Sequence, residues 1–217
     1  APGGEGAAAT RRVVICGSIL MTTARAVSVA GVEAAAVMLL QREYAWEEST
    51  VGMSVGLTFL TSIPLKLVHS GLRERLELVS WIRVLALVGL LGSWLFFSTS
   101  SGVMLLVATT VVFPTMYLSD ALCLGAMQQH CLPDGSWFDA NHTMLWFNLS
   151  VNGAGHFFGP ILARACIEVG GQTLFAWQQL TLCLIFWTAF ECIVRPNYTL
   201  TTKETKDPVA RPRLGTM

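Results

Sequence analysis

The chain has 217 residues, 53% of them hydrophobic and 13% charged, with a formal net charge of +0. A soluble domain of this length carries about a quarter charged residues, so the composition points to a protein of the bilayer. The balanced charge excludes a global basic field of the kind that gathers nucleic acid.

In chain order, residues 1–12 are small, polar and glycine-containing, and read as a flexible linker. Six apolar stretches follow, at roughly 13–40, 50–69, 77–98, 102–128, 141–169 and 173–194. Each suffices for a membrane-crossing helix of about 20 residues. The fold class is therefore an all-α membrane protein, with 13–195 a six-helix transmembrane domain. The polar, Pro-containing 196–217 reads as a disordered cytoplasmic tail.

The first stretch places Ser18, Thr22, Arg25, Glu33 and Ala36 on one arc of a helix that turns about 100° per residue. Arg25 lies far from either end, where an ionisable residue is costly and by default functional. Glu33 is about 12 Å further along the axis, too far to pair with Arg25 directly. Each therefore needs another partner or water. The fourth stretch aligns Thr109, Phe113, Met116, Tyr117 and Asp120. Asp120 is expected at the level of the cytoplasmic headgroups, with a buried carboxylate as the alternative.

The fifth stretch contains "NLSVNGAGHFFGPILAR". Asn148, Asn152, Gly155, His156, Gly159 and Ala163 fall within an arc of about 100°, while Trp146, Phe157, Phe158 and Ile161 point elsewhere. A row of small residues lets another helix backbone approach closely. Pro160 removes one helix donor, a loss tolerated where neighbours or water compensate. The alternatives are a dry helix–helix seam and a wetted surface. Glu191 in the sixth stretch reads as interfacial, and Trp81 of the third stretch and Trp177 of the sixth suit an aromatic belt.

Lysine and arginine set orientation. Arg11 and Arg12, then Lys66, Arg73, Arg75 and Arg83, then Arg195 and the tail all fall on one side of a six-span zigzag. Both termini are thus expected to be cytoplasmic, and the sequons at Asn141, Asn148 and Asn197 unused. The six cysteines form no CxxC pair and do not alternate with histidine at zinc spacing. Free buried thiols, no metal and no cofactor are expected.

Six spans with both ends cytoplasmic, the short basic loop "HSGLRERLE" and "GAGHFFGP" together resemble the C-terminal half of a major facilitator superfamily transporter. Gly71, Arg73 and Arg75 occupy the place of that family's loop motif, without its Asp-Arg-x-Gly-Arg core. Gly155, Gly159 and Pro160 match its G-x-x-x-G-P element, which here continues with Ala163 and Arg164.

The resemblance implies that the first and fourth helices line a central cavity, the second and fifth meet the other half, and the third and sixth are peripheral. It assigns Arg25, Glu33, Tyr117 and Asp120 to the cavity wall, and Asn148, Asn152 and His156 to the seam between halves or its wet edge. It implies alternating access by two rocking halves, with an N-terminal six-helix half or a second copy as partner. The substrate is an unknown small molecule. If proton coupling operates, Glu33, Asp120 or His156 would carry it.

Two other classes remain open: an intramembrane hydrolase and a non-transporting channel or assembly protein. The "GMSVG" around Ser54 has the spacing of a nucleophile elbow, but that elbow requires a strand–turn–helix in a soluble sheet. No filter-like loop or ring of charges marks a channel.

Overall fold

Long runs of Leu, Val, Ala and Ile leave the backbone no partner in lipid except itself, and helices are the open-chain solution. The computed structural model describes residues 2–72, 75–98 and 101–206, and these are helical with short connections and no strand among them. The order is α1 (Pro2–Arg42), α2 (Glu48–Leu60), α3 (Ser62–Leu72), α4 (Leu78–Trp94), α5 (Gly102–Gln129), α6 (Ala140–Asn148), α7 (Gly159–Ala189) and α8 (Arg195–Lys206). A π-helical segment, Leu149–Phe158, joins α6 to α7, and a second, Phe190–Val194, joins α7 to α8. Five helical rods are long and apolar enough to cross a membrane: Gly6–Arg42, Glu48–Leu72, Leu78–Ser98, Gly102–Gln129 and Ala140–Leu200.

The last rod is a reversal in disguise. Within α7, Gly171 adopts φ 62 and ψ −156, a left-handed backbone that a side chain would resist. Before it, Gly155 lies against Ala26, and Gly159 against Ala30. After it, Gln179 bonds Ser28, and Ile193 touches Gly17. The two arms therefore run in opposite directions along α1. Contacts elsewhere alternate likewise. Leu40 meets Gly102 while Arg25 meets Asp120, so α1 and α5 are antiparallel. Gly89 meets Met116 and Gly92 meets Val111, so α4 and α5 are antiparallel too.

The core follows this arrangement. Leu39, Leu40, Phe96, Leu105, Val112, Met116 and Phe175 form one buried cluster. Val14, Met21, Ile82, Leu85, Phe186 and Phe190 form another. The rods are unequally covered: the apolar window of Gly6–Arg42 is 72% buried, but that of Glu48–Leu72 only 17%. Met53, Leu57, Leu60 and Leu67 stand outward on the latter.

Several expectations are corrected. Residues 2–12, expected as a flexible linker, are the first turns of α1, which is helical from Pro2. The tail from 196 continues as α8 to Lys206. There the Asn197 amide donates to the Ile193 carbonyl at 2.7 Å, and the Tyr198 hydroxyl donates to Gln129 Oε1 at 2.5 Å. Residues 207–217 and Arg73 lie outside the described residues. Trp81 does not line a belt but is buried, edge-on to His69 at 5.0 Å, whereas Trp177 is exposed. All six cysteines are free, but only Cys123 and Cys183 are fully buried.

Candidate intramembrane polar site

The polar arc of α1 cannot face lipid, and it does not: Ser18, Thr22, Arg25 and Ser28 are all buried against neighbouring helices. The Arg25 guanidinium, 3% exposed, reaches across to α5 and places Nη2 2.9 Å from Asp120 Oδ1. Asp120 is thus the partner that Arg25 requires. It shares the depth of Arg25 and keeps 21% of its side chain accessible. Held 2.9 Å apart, the two opposite charges offset part of the desolvation cost that each alone would carry in hydrocarbon.

Residues in register with Asp120 extend the site. Tyr117, one turn earlier on α5, is 40% exposed and stacks on Phe113 with ring centroids 5.9 Å apart. Over its ring lies Lys66 Nζ from α3, 4.7 Å from the centroid. Cation–aromatic contact of this kind holds a positive charge beside the phenol. Cys123, buried one turn after Asp120, faces Thr22 of α1. Arg25, Asp120, Tyr117 and Lys66 thus form one continuous polar patch that joins three rods.

From sequence Lys66 counts only among the basic residues around the connection between the second and third stretches. Its position on α3, about two turns past the end of α2, places it beside α5, where it meets Tyr117.

The fifth stretch divides differently from the single arc that an ideal helix gives. Gly155, Gly159 and Ala163 are buried on α1, whereas Asn148, Asn152 and His156 are exposed. A Cβ added at Gly155 would sit 2.6 Å from Ala26 Cβ, and one at Gly159 would sit 2.8 Å from Ala30 Cβ and 2.9 Å from the Val27 carbonyl oxygen. The small-residue row therefore closes a seam inside this chain, not one with another half. The physical cause of the split is the π-helical segment, whose wider turns shift register between the two rows. Pro160 sits where the π-helical segment passes into α7.

Glu33 is half-buried on α1 and within electrostatic reach of His156. These two form a separate cluster, with Glu33 about two turns beyond Arg25 on α1. Of the loop residues, Gly71 and Arg75 are exposed at the end of α3.

Two further polar contacts were not anticipated. The Ser28 hydroxyl donates to Gln179 Oε1 at 2.6 Å, with both residues wholly buried. Glu191 is not merely interfacial: its Oε1 forms an ion pair with Arg83 Nε of α4 at 2.8 Å, and its Oε2 accepts from Arg195, one turn on. A run of Gln172, Gln178 and Gln179 at the start of the last stretch was the readable sign of the first. The second pairs residues more than a hundred positions apart.

Ser54 lies within α2, its carbonyl accepting from Thr58 at 3.0 Å. Among the described residues no three or more His, Cys, Asp or Glu gather where they could hold a metal ion. Comparison with protein-family models, with curated proteins and with solved structures gives no match to this chain.

Proposed function

We propose that the chain is one half of a secondary active transporter, a six-span membrane module with both ends on the cytoplasmic side and the patch around Arg25 and Asp120 on its substrate pathway. The observation that carries this reading is the Arg25–Asp120 pair, buried between α1 and α5 yet open on the Asp120 side. A charge pair at membrane depth is expensive, and one accessible face gives it something to do besides packing. The reversal at Gly171 supports counting the last rod as two spans, which makes six.

The resemblance to the major facilitator superfamily supports the same assignment, since its first and fourth helices line the pathway and here α1 and α5 supply the pair. The sparse cover of α2 and α3 supports a partner on that side, either an N-terminal six-helix half or a second copy. In this reading Arg25 draws an anionic group of the solute. Alternating access then follows from rocking of the two halves.

The test is solute flux. Proteoliposomes are made from membranes of cells expressing the chain, loaded with a mixture of small organic anions and neutral solutes, and efflux is read by mass spectrometry. At least one anion should leave faster than from empty-vector vesicles. That gain should vanish with Arg25→Ala at equal protein level. Equal efflux from all three preparations removes the transport reading.

A further inference from the structure

A cavity apart from the Arg25 patch opens at the end of the bundle where α1 begins and α5 passes into α6. Its volume is about 800 Å³, and its wall includes Arg12, Asp134, Trp137, Phe138 and Trp146. We propose that this cavity binds a phosphocholine group, with the headgroup of a membrane phospholipid as its source. The inference rests on the chain lying in a bilayer and is independent of transport.

Three features of the wall select this chemistry. Three aromatic rings with one nearby carboxylate suit a bulky, weakly hydrated quaternary ammonium, which aromatic faces attract and hydrogen-bond acceptors cannot serve. Arg12 is exposed at the cavity, and among the described residues neither it nor Asp134 enters an ion pair. A guanidinium free of a protein carboxylate suits a phosphate. A purely anionic ligand would meet Asp134 and leave the rings unused.

The wall is also preformed, which lowers the cost of binding. Leu132 N–H donates to the Phe138 carbonyl at 2.9 Å, and Asp139 N–H to the Ser136 carbonyl at 3.1 Å. Gly135 takes φ 88 at the turn. Trp146 Nε1 donates to the Trp137 carbonyl at 3.3 Å, joining helix to loop. Trp137 is 72% exposed, which suits an indole at headgroup level.

The experiment uses the full chain in maltoside detergent, offered equimolar phosphatidylcholine, phosphatidylethanolamine and phosphatidylglycerol of identical acyl chains. Retained lipid is identified by native mass spectrometry. One phosphatidylcholine should be retained with about tenfold preference over either competitor. Trp137→Leu and, independently, Asp134→Asn should erase the preference, while Trp137→Phe keeps it. Arg12→Gln should reduce retention of phosphatidylcholine itself.

Asp134→Asn changes an exposed turn residue and leaves the fold in place, so a poorly folded Trp137→Leu would not stall the test. Glycerophosphocholine, water-soluble and without acyl chains, distinguishes the source. Displacement by it at equal concentration keeps the phosphocholine chemistry and moves the source to a soluble ester. Equal retention of phosphatidylcholine and phosphatidylethanolamine, a preference for phosphatidylglycerol, or a preference intact in both Trp137→Leu and Asp134→Asn overturns the proposal.

Discussion

Gly155 and Ala26 pack so closely that a single methyl on the glycine would lie 2.6 Å from the alanine Cβ and 3.1 Å from its carbonyl oxygen. The obstacle includes backbone, which cannot rotate away. Gly155→Ala should therefore destabilise the protein by about 1–3 kcal/mol. Gly52 on α2 has nothing within 4 Å of the same position, so Gly52→Ala should be neutral or slightly stabilising in the isolated chain. Thermal unfolding in detergent, followed by size-exclusion fluorescence, compares the two. Equal melting temperatures would refute the seam between α1 and the π-helical segment.

Arg25 and Asp120 should behave as a coupled pair. Arg25→Ala alone leaves a carboxylate without its partner, at a cost of about 3–5 kcal/mol. Removing Asp120 as well should cost less than the sum of the two single changes, with a coupling of about 1–3 kcal/mol. A double-mutant cycle on unfolding free energy measures it. Strict additivity would mean that the two side chains do not interact in the folded protein.

Ala45 follows the last turn of α1 with φ 51, in the left-handed region that an L side chain resists by about 1–2 kcal/mol. The turn is needed: it lets Trp46 N–H return to the Leu40 carbonyl at 3.0 Å and tucks the indole beside Gly102. Ala45→Gly should stabilise by about 0.5–1 kcal/mol, part of the relief being spent on the freer unfolded chain. Ala45→Val should destabilise. A melt of the three proteins orders them, and Gly below Ala would show that the strain is not there.

His130 caps α5, buried, with Nδ1 2.8 Å from the Ala126 carbonyl and its ring 4.9 Å from that of Tyr198. Burial pushes its pKa down, and Arg11 of α1 adds to the effect, outweighing the hydrogen bond to Ala126. The unfolded chain then binds the proton more readily than the folded one. The stabilising contribution is full above about pH 6.5 and is lost as pH falls from there through the lowered folded value. His130→Gln should flatten stability across that window, measured by melting temperature against pH. An unchanged slope would place the acid sensitivity elsewhere.

Much of the architecture is readable from the chain because lipid imposes it. The apolar runs mark the rods, and paired Gly170 and Gly171 fall where the last rod turns back. The reading that Arg25 requires a partner is a statement about solvation, so it holds without knowing the fold. Naming Asp120 as that partner is different. The two are separated by two rods, and only the antiparallel packing of α1 on α5 brings them to one depth. The split of the fifth stretch was hidden for another reason. An ideal 3.6-residue period puts Asn152 and Gly155 on one arc, and the wider turns of Leu149–Phe158 depart from that period.

The Arg25–Asp120 contact also decides how the protein would respond to voltage. A membrane potential of 100 mV does about 2.3 kcal/mol of work on a unit charge carried across the bilayer, but a guanidinium and a carboxylate 2.9 Å apart present it with almost no net charge. The field pulls on both and moves neither. Among the described charges of α1 between Val13 and Leu40, the one left uncancelled by an ion pair is Glu33, and a single proton placed there would leave this stretch electrically silent.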